Sequence, residues 1–149
     1  MPNKATAEDA QIIMRLYDLR REPEMRKARA WYAGWWPRSA EDVMHVIGAA
    51  GTQENAWFRQ VNGYWDMVAS FVLRGVLNEE LFLDNGNEMW FTLAKIQPFL
   101  KEVREKAGIP KGFVRVEEVA TRSKDGCDRL QMMLKRAETM RAKAAAKAS

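Results

Sequence analysis

The stretch Gln53-Glu54-Asn55-Ala56-Trp57-Phe58-Arg59-Gln60-Val61-Asn62-Gly63-Tyr64-Trp65-Asp66-Met67-Val68-Ala69-Ser70-Phe71-Val72-Leu73-Arg74 decides the fold class. Within it Trp57, Val61, Tyr64, Val68 and Phe71 are spaced four, three, four and three residues apart, which returns them to one face of an α-helix. Trp65 and Val72 widen the stripe, so the spacing predicts a helix near 53–74 at the centre of a helical bundle. Thr52 after Gly51 gives the start. Gly75 gives a left-handed stop.

The helical reading extends in both directions. Upstream, Thr6 with Glu8 and Asp9 predicts a capped first helix burying Ile12, Ile13, Leu16, Tyr17 and Leu19. Pro23 opens a second helix bearing Met25, Ala28, Trp31, Tyr32 and Trp35, and Pro37 ends it. Ser39 with Asp42 marks a short third helix containing Val43, Met44, Ile47 and Ala50. Downstream, Asn78 caps a turn with Leu81 and Phe82, and Asp84-Asn85-Gly86-Asn87 turns the chain again. A helix near 88–106 follows, with Met89, Leu93, Ile96, Leu100 and Val103 on one side. Pro98 lies inside it, removes a backbone donor and bends it.

Gly108 and Pro110 close that helix. Gly112 to Val116 reads as a short extended piece and Glu117 to Ala120 as a helical turn. Ser123 or Asp125 begins the last helix, with Cys127, Leu130, Leu134 and Ala137 inward and Met133 and Met140 in support. Beyond Ala142 only Ala, Lys and Ser remain, so that end is expected to fray. The expectation is an all-α, single-domain bundle of about six to seven helices. Residues 1–121 form its helical core and 122–149 a basic C-terminal helix of the same domain.

Composition narrows the function classes. A chain of 149 residues with 47% apolar residues can bury a real core. One Cys excludes an intrachain disulfide, and one His with one Cys cannot build the usual structural zinc site. The net charge of +4 is uneven: residues 1–121 hold 16 Lys/Arg against 17 Asp/Glu, and residues 122–149 hold 8 against 3. The basic excess therefore sits at the C-terminal end, where Lys135, Arg136, Arg141, Lys143 and Lys147 are candidates for touching nucleic acid or an anionic surface. The competing reading is a solvated helix end favoured by the helix dipole. No apolar h-region follows Met1, and no apolar run approaches the roughly 20 residues of a membrane span. The expected location is cytoplasmic, with Cys127 reduced.

No catalytic, cofactor or metal-ligating residue is expected. His45 lacks a neighbour in sequence to orient it as a base. Cys127, although near a helix start, falls on the apolar stripe of the last helix. Of the four adjacent carboxylate pairs three fall in first turns, where capping accounts for them. Glu-x-x-His, Walker, Gly-rich dinucleotide and Gly-x-Ser-x-Gly motifs are absent. The densest unusual feature is Arg26-Lys27-Ala28-Arg29-Ala30-Trp31-Tyr32-Ala33-Gly34-Trp35-Trp36-Pro37-Arg38. Core packing is its default reading, with Trp36 the expected exposed member because adjacent Trp side chains cannot both face one core.

Tyr64-Trp65-Asp66-Met67-Val68-Ala69-Ser70-Phe71-Val72-Leu73-Arg74-Gly75-Val76-Leu77-Asn78-Glu79-Glu80-Leu81-Phe82 resembles a family of small all-helical bacterial domains of unknown function. Met89-Trp90 through Arg104 and the upstream Arg26 to Tyr32 are also similar, so the likeness spans roughly residues 10–107. It implies structure-forming positions and lends no reaction, cofactor or catalytic residue. Some relatives carry an N-terminal membrane anchor, which this sequence lacks.

The leading expectation is a non-enzymatic module that works through protein contact or self-association, with a homodimer in view. Trp31, Trp35, Trp36 and Trp90 are its candidate interface residues, together with Leu130, Met133, Leu134 and Met140 of the last helix. The alternatives are anion binding by the basic tail and a small apolar ligand held where the chain bends near Pro98.

Overall fold

The computed structural model describes residues 3–149, which are all-α with no strand among them. The helices are α1 (Ala7–Arg20), α2 (Pro23–Gly34), α3 (Ala40–Gly48), α4 (Gln53–Leu73), α5 (Glu79–Asn85), α6 (Asn87–Ile96), α7 (Leu100–Ala107), α8 (Val114–Thr121) and α9 (Lys124–Ala148). The bend at Pro98 takes the form of a 3₁₀ turn, Gln97–Phe99, joining α6 to α7. Residues 112–116 are not extended: α8 begins at Val114, directly after a left-handed Phe113. Backbone at φ +65 interrupts an extended run, so no strand passes through Phe113.

Caps place the helix starts. Thr6 Oγ1 accepts from Asp9 N, and Asp9 Oδ2 accepts from Thr6 N at 2.8 Å, a reciprocal box. Asp9 Oδ1 also accepts from Asn78 N at 2.8 Å, so the start of α1 is tied to the start of α5. Backbone N–H groups of Thr6 and Asn78 hold the Asp9 carboxyl below the usual carboxylate range. At the end of α4, Gly75 adopts φ +72 and Val76 N donates to Phe71 O, which satisfies the last carbonyls and reverses the chain.

The buried stripe of α4 is Phe58, Val61, Trp65, Val68 and Val72. It is rotated by about one position from the sequence expectation, and Trp57, Tyr64 and Phe71 flank it half-buried. The reason is that α4 is covered from several sides at once, by α2, α3 and α8. α6 is more enclosed still: Met89, Trp90, Thr92, Leu93, Ala94, Lys95 and Ile96 are all buried. In α1 only Leu16 of the expected stripe is buried; Tyr17 and Leu19 are exposed, because α1 lies at the edge of the bundle against α2 and α5.

α9 lies along α6 and α8 and covers them with Leu130, Met133 and Ala137. Gly126 makes the crossing with α8 possible, since a Cβ there would lie 2.5 Å from Ala120 O. The Trp90 indole Nε1 donates to the Gly126 carbonyl at 3.0 Å and to the Ala120 carbonyl at 3.3 Å. One buried aromatic thus satisfies the carbonyls on both sides of the α8–α9 junction.

Lys95 is fully buried in α6. Its ammonium donates to the carbonyls of Tyr32 and Ala33 at the end of α2 and lies 3.9 Å from the Trp36 ring centre. Burial, with the nearby Arg141 charge, pulls its pKa down to about 7.

Two outcomes follow. Gly126→Ala should lower the unfolding free energy by about 1–3 kcal/mol, as overpacking against an immobile carbonyl does, and a denaturant melt reads it directly. Because the folded state releases the Lys95 proton more readily than the unfolded chain, the unfolded state binds more protons above pH 7. Stability should therefore rise between pH 7 and pH 9 by an increment on the order of 1 kcal/mol per pH unit, and Lys95→Met should remove that slope.

Candidate functional site

The structure separates the candidates read from the sequence. Trp90 is fully buried and held by its two hydrogen bonds, so it presents nothing to a partner. Trp31 and Trp35 stack on each other at 5.4 Å and lean on Tyr32, Trp57 and Phe58, half-buried. Trp36 is half-buried too, edge-on to Phe91 and over the Lys95 ammonium, so it is not the exposed member of the cluster. Leu130 and Met133 are covered by the chain's own helices, and Leu134 is packed against the core. Only Met140 of these is exposed. The stripe on the last helix therefore has its partner within the chain.

Of the basic residues, Arg141 is occupied: it donates to Pro37 O at 2.7 Å and Lys95 O at 3.1 Å and lies over Phe99. Lys135, Arg136, Lys143 and Lys147 are exposed. Cys127 is half-buried, its thiol donating to Thr121 O. His45 is exposed on α3. No group of three or more metal-ligating side chains occurs among the described residues, and no helix is long and apolar enough to cross a membrane.

The chain turns at Pro98 through the 3₁₀ turn Gln97–Phe99. A concave feature of about 660 Å³ lies between the outer side of α4 and the segment Ile109–Val116. Its apolar wall is made by Ile47, Phe58, Ile109, Phe113 and Val116. Along α4, Asn55, Arg59, Asn62 and Asp66 recur at helical spacing and supply its polar edge.

Both walls are held in place. The left-handed Gly108 ends α7, and Ile109 N donates back to Arg104 O. Arg104 Nε donates to Gly112 O at 2.9 Å, while its Nη2 lies 3.1 Å from Glu117 Oε1, so one guanidinium braces the loop and the first turn of α8. Phe113 sits at φ +65, a conformation costing a non-glycine residue on the order of 1 kcal/mol, and its ring meets Phe58 edge-on at 6.1 Å. On α4, Asn55 donates to Val46 O and Ile47 O and accepts from Arg59 Nε at 3.0 Å. Asp66 pairs with Arg115 at 3.0 Å across the groove.

The low point of the α4 wall is Gly63, where a Cβ would meet nothing within 4 Å. A shallower hollow of about 440 Å³, lined by Leu19, Met25, Gln60, Tyr64 and Met67, shares Arg59 and Gly63 with the groove. The two hollows meet at Arg59 and Gly63 on α4.

Comparison with protein families finds the domain of unknown function DUF4760 over residues 5–123. The chain belongs to that family. No curated protein and no solved structure matches the chain. The DUF4760 segment contains every residue of the groove, whereas α9, which covers α6 and α8, lies beyond the segment.

Sequence reasoning passed over the groove. Its one local signal was Gly63, a poor helix former in the middle of a long helix whose side is otherwise rich in large residues. Gly63→Ala should raise the unfolding free energy by about 0.5–1 kcal/mol, because the added methyl restores helix propensity and clashes with nothing. Chemical denaturation of the two proteins measures the difference.

Proposed function

We propose that this DUF4760 chain is a non-enzymatic binding domain whose ligand occupies the groove between α4 and Ile109–Val116. The observation that carries the reading is the groove itself: a preformed cleft of about 660 Å³ with apolar walls and a few fixed polar groups, the usual build of a small-molecule site. Its polar side chains are committed to holding the walls, Asn55 on carbonyls of α3 and Asp66 on Arg115, rather than arranged as an acid and a base around a reacting atom.

Protein contact or self-association through the aromatic cluster and the last helix has less to stand on. The side chains it needs, Trp90, Leu130 and Met133, are spent on the chain's own core. Anion binding by the tail retains Arg136, Lys143 and Lys147, seven and four residues apart and so on one side of α9, with Lys135 turned about 100° away from Arg136. That is a solvated face of modest charge density.

Titration of isotope-labelled full-length chain with 1-dodecanol, an uncharged apolar probe, tests the groove reading. Amide shifts should concentrate at Asn55, Asn62, Gly63, Gly112 and Phe113 and saturate with one affinity. Shifts spread over the surface, or centred on Trp36 or α9, would contradict it.

A further inference from the structure

The charges around the groove are unbalanced. Arg59, Lys111 and Arg115 line it against one carboxylate, Asp66. Arg115 is paired with Asp66, so that pair is neutral. Arg59 is held at the rim by its Nε bond to Asn55, which leaves its terminal Nη groups directed elsewhere, and neither they nor Lys111 Nζ have a protein partner among the described residues. Two cations without counter-charges therefore border an apolar cleft, whose low-dielectric walls strengthen their field.

Backbone dipoles add to this charge. Phe113 precedes α8 with no side-chain cap, and Arg115 and Val116, in the first turn of α8, both line the groove. Their N–H groups have no acceptor among the described residues, so the positive end of α8 faces the same space. The other dimension of the ligand is set by shape. Beyond Gly63 a second hollow, lined by Leu19, Met25 and Met67 and edged by Glu22 and Gln60, shares Arg59 and Gly63 with the groove, and an occupant reaching from one into the other is an extended chain.

We propose that the groove binds a single-chain anionic amphiphile, its acidic head between Arg59, Lys111 and the start of α8 and its apolar chain lying over Gly63. This rests on the groove reading above and adds the charge and shape of the ligand to it. A carboxylate and a phosphate monoester share the required chemistry.

Calorimetric titration of the full-length chain at low salt, with each probe below its micelle concentration, tests the proposal. The probes share one tail: laurate, monododecyl phosphate, 1-dodecanol and dodecyltrimethylammonium. At least one of the two anions should bind about tenfold or more tightly than dodecanol, a difference of about 1.4 kcal/mol, and the cation should bind most weakly. Whichever anion binds more tightly identifies the head group. Lys111→Glu and the double variant Arg59→Gln/Lys111→Gln should each bind the anions no more tightly than the same variant binds dodecanol. Melting curves of both variants establish that they are folded. Equal binding of anion and alcohol by the unaltered chain, or an anion preference that survives in both variants, overturns the charge assignment and leaves the groove reading standing. Binding of none of the four probes overturns both.

Discussion

The constraint on which the rest of the structure depends is the burial of the Lys95 amino group, whose charged form burial disfavours. A charge taken out of water costs several kcal/mol unless polar groups replace its hydration. Lys95 finds no carboxylate. It finds the last carbonyls of α2 and the faces of Trp36, Tyr32 and Phe91. Helix C-termini leave unpaired carbonyls and attract positive charge, so α2 has to end where α6 presents Lys95. Tyr32 closes the arrangement by donating its hydroxyl to Thr92 O at 2.8 Å. Arg141 clasps it from outside, binding Lys95 O and Pro37 O, which brings the far half of α9 onto the same place.

From that centre the packing leads outward to the groove. With α2 fixed to α6, the Trp31, Trp35 and Tyr32 rings offer a surface to Phe58, and α4 packs on it. Trp90 pins the α8–α9 junction to α6, so α8 is held at a set distance from α4. The space between α4 and Ile109–Val116 is what remains when both are held from behind. It stays open because Gly63 has no side chain to fill it and because Arg104 and Phe113 stiffen the opposite wall. The cleft is a consequence of rigid supports, and the left-handed conformation of Phe113 is a cost the fold sustains at its edge.

The sequence carries the helical architecture almost completely because the signals that define it are local. Thr6, Thr52, Asn78 and Ser123 each cap a helix in the structure, and Gly75 reverses the chain as a left-handed residue. Helical spacing found the apolar side of α6 and α7. It failed where burial depends on what lies opposite: Tyr17 and Leu19 are exposed because nothing covers that side of α1, while Lys95 is buried because its partners come from some sixty residues earlier in the chain. Gly112 to Val116 resembled a strand by composition, and the backbone at Phe113 made it a helix start. Leu130 and Met133, read as interface candidates, are turned inward in the structure. A stripe that looks unpartnered along one helix is paired as soon as a second helix from elsewhere in the chain is known, as α6 and α8 are for α9.

The most direct test of the proposal that the groove holds a ligand is native mass spectrometry of the full-length chain purified without detergent from its own host. The unaltered chain should carry an added mass of a small amphiphile. Gly63→Phe, whose side chain enters open space and fills the low point of the groove, should fold and be bare. Identical spectra from the two proteins, both bare or both loaded, would contradict the account.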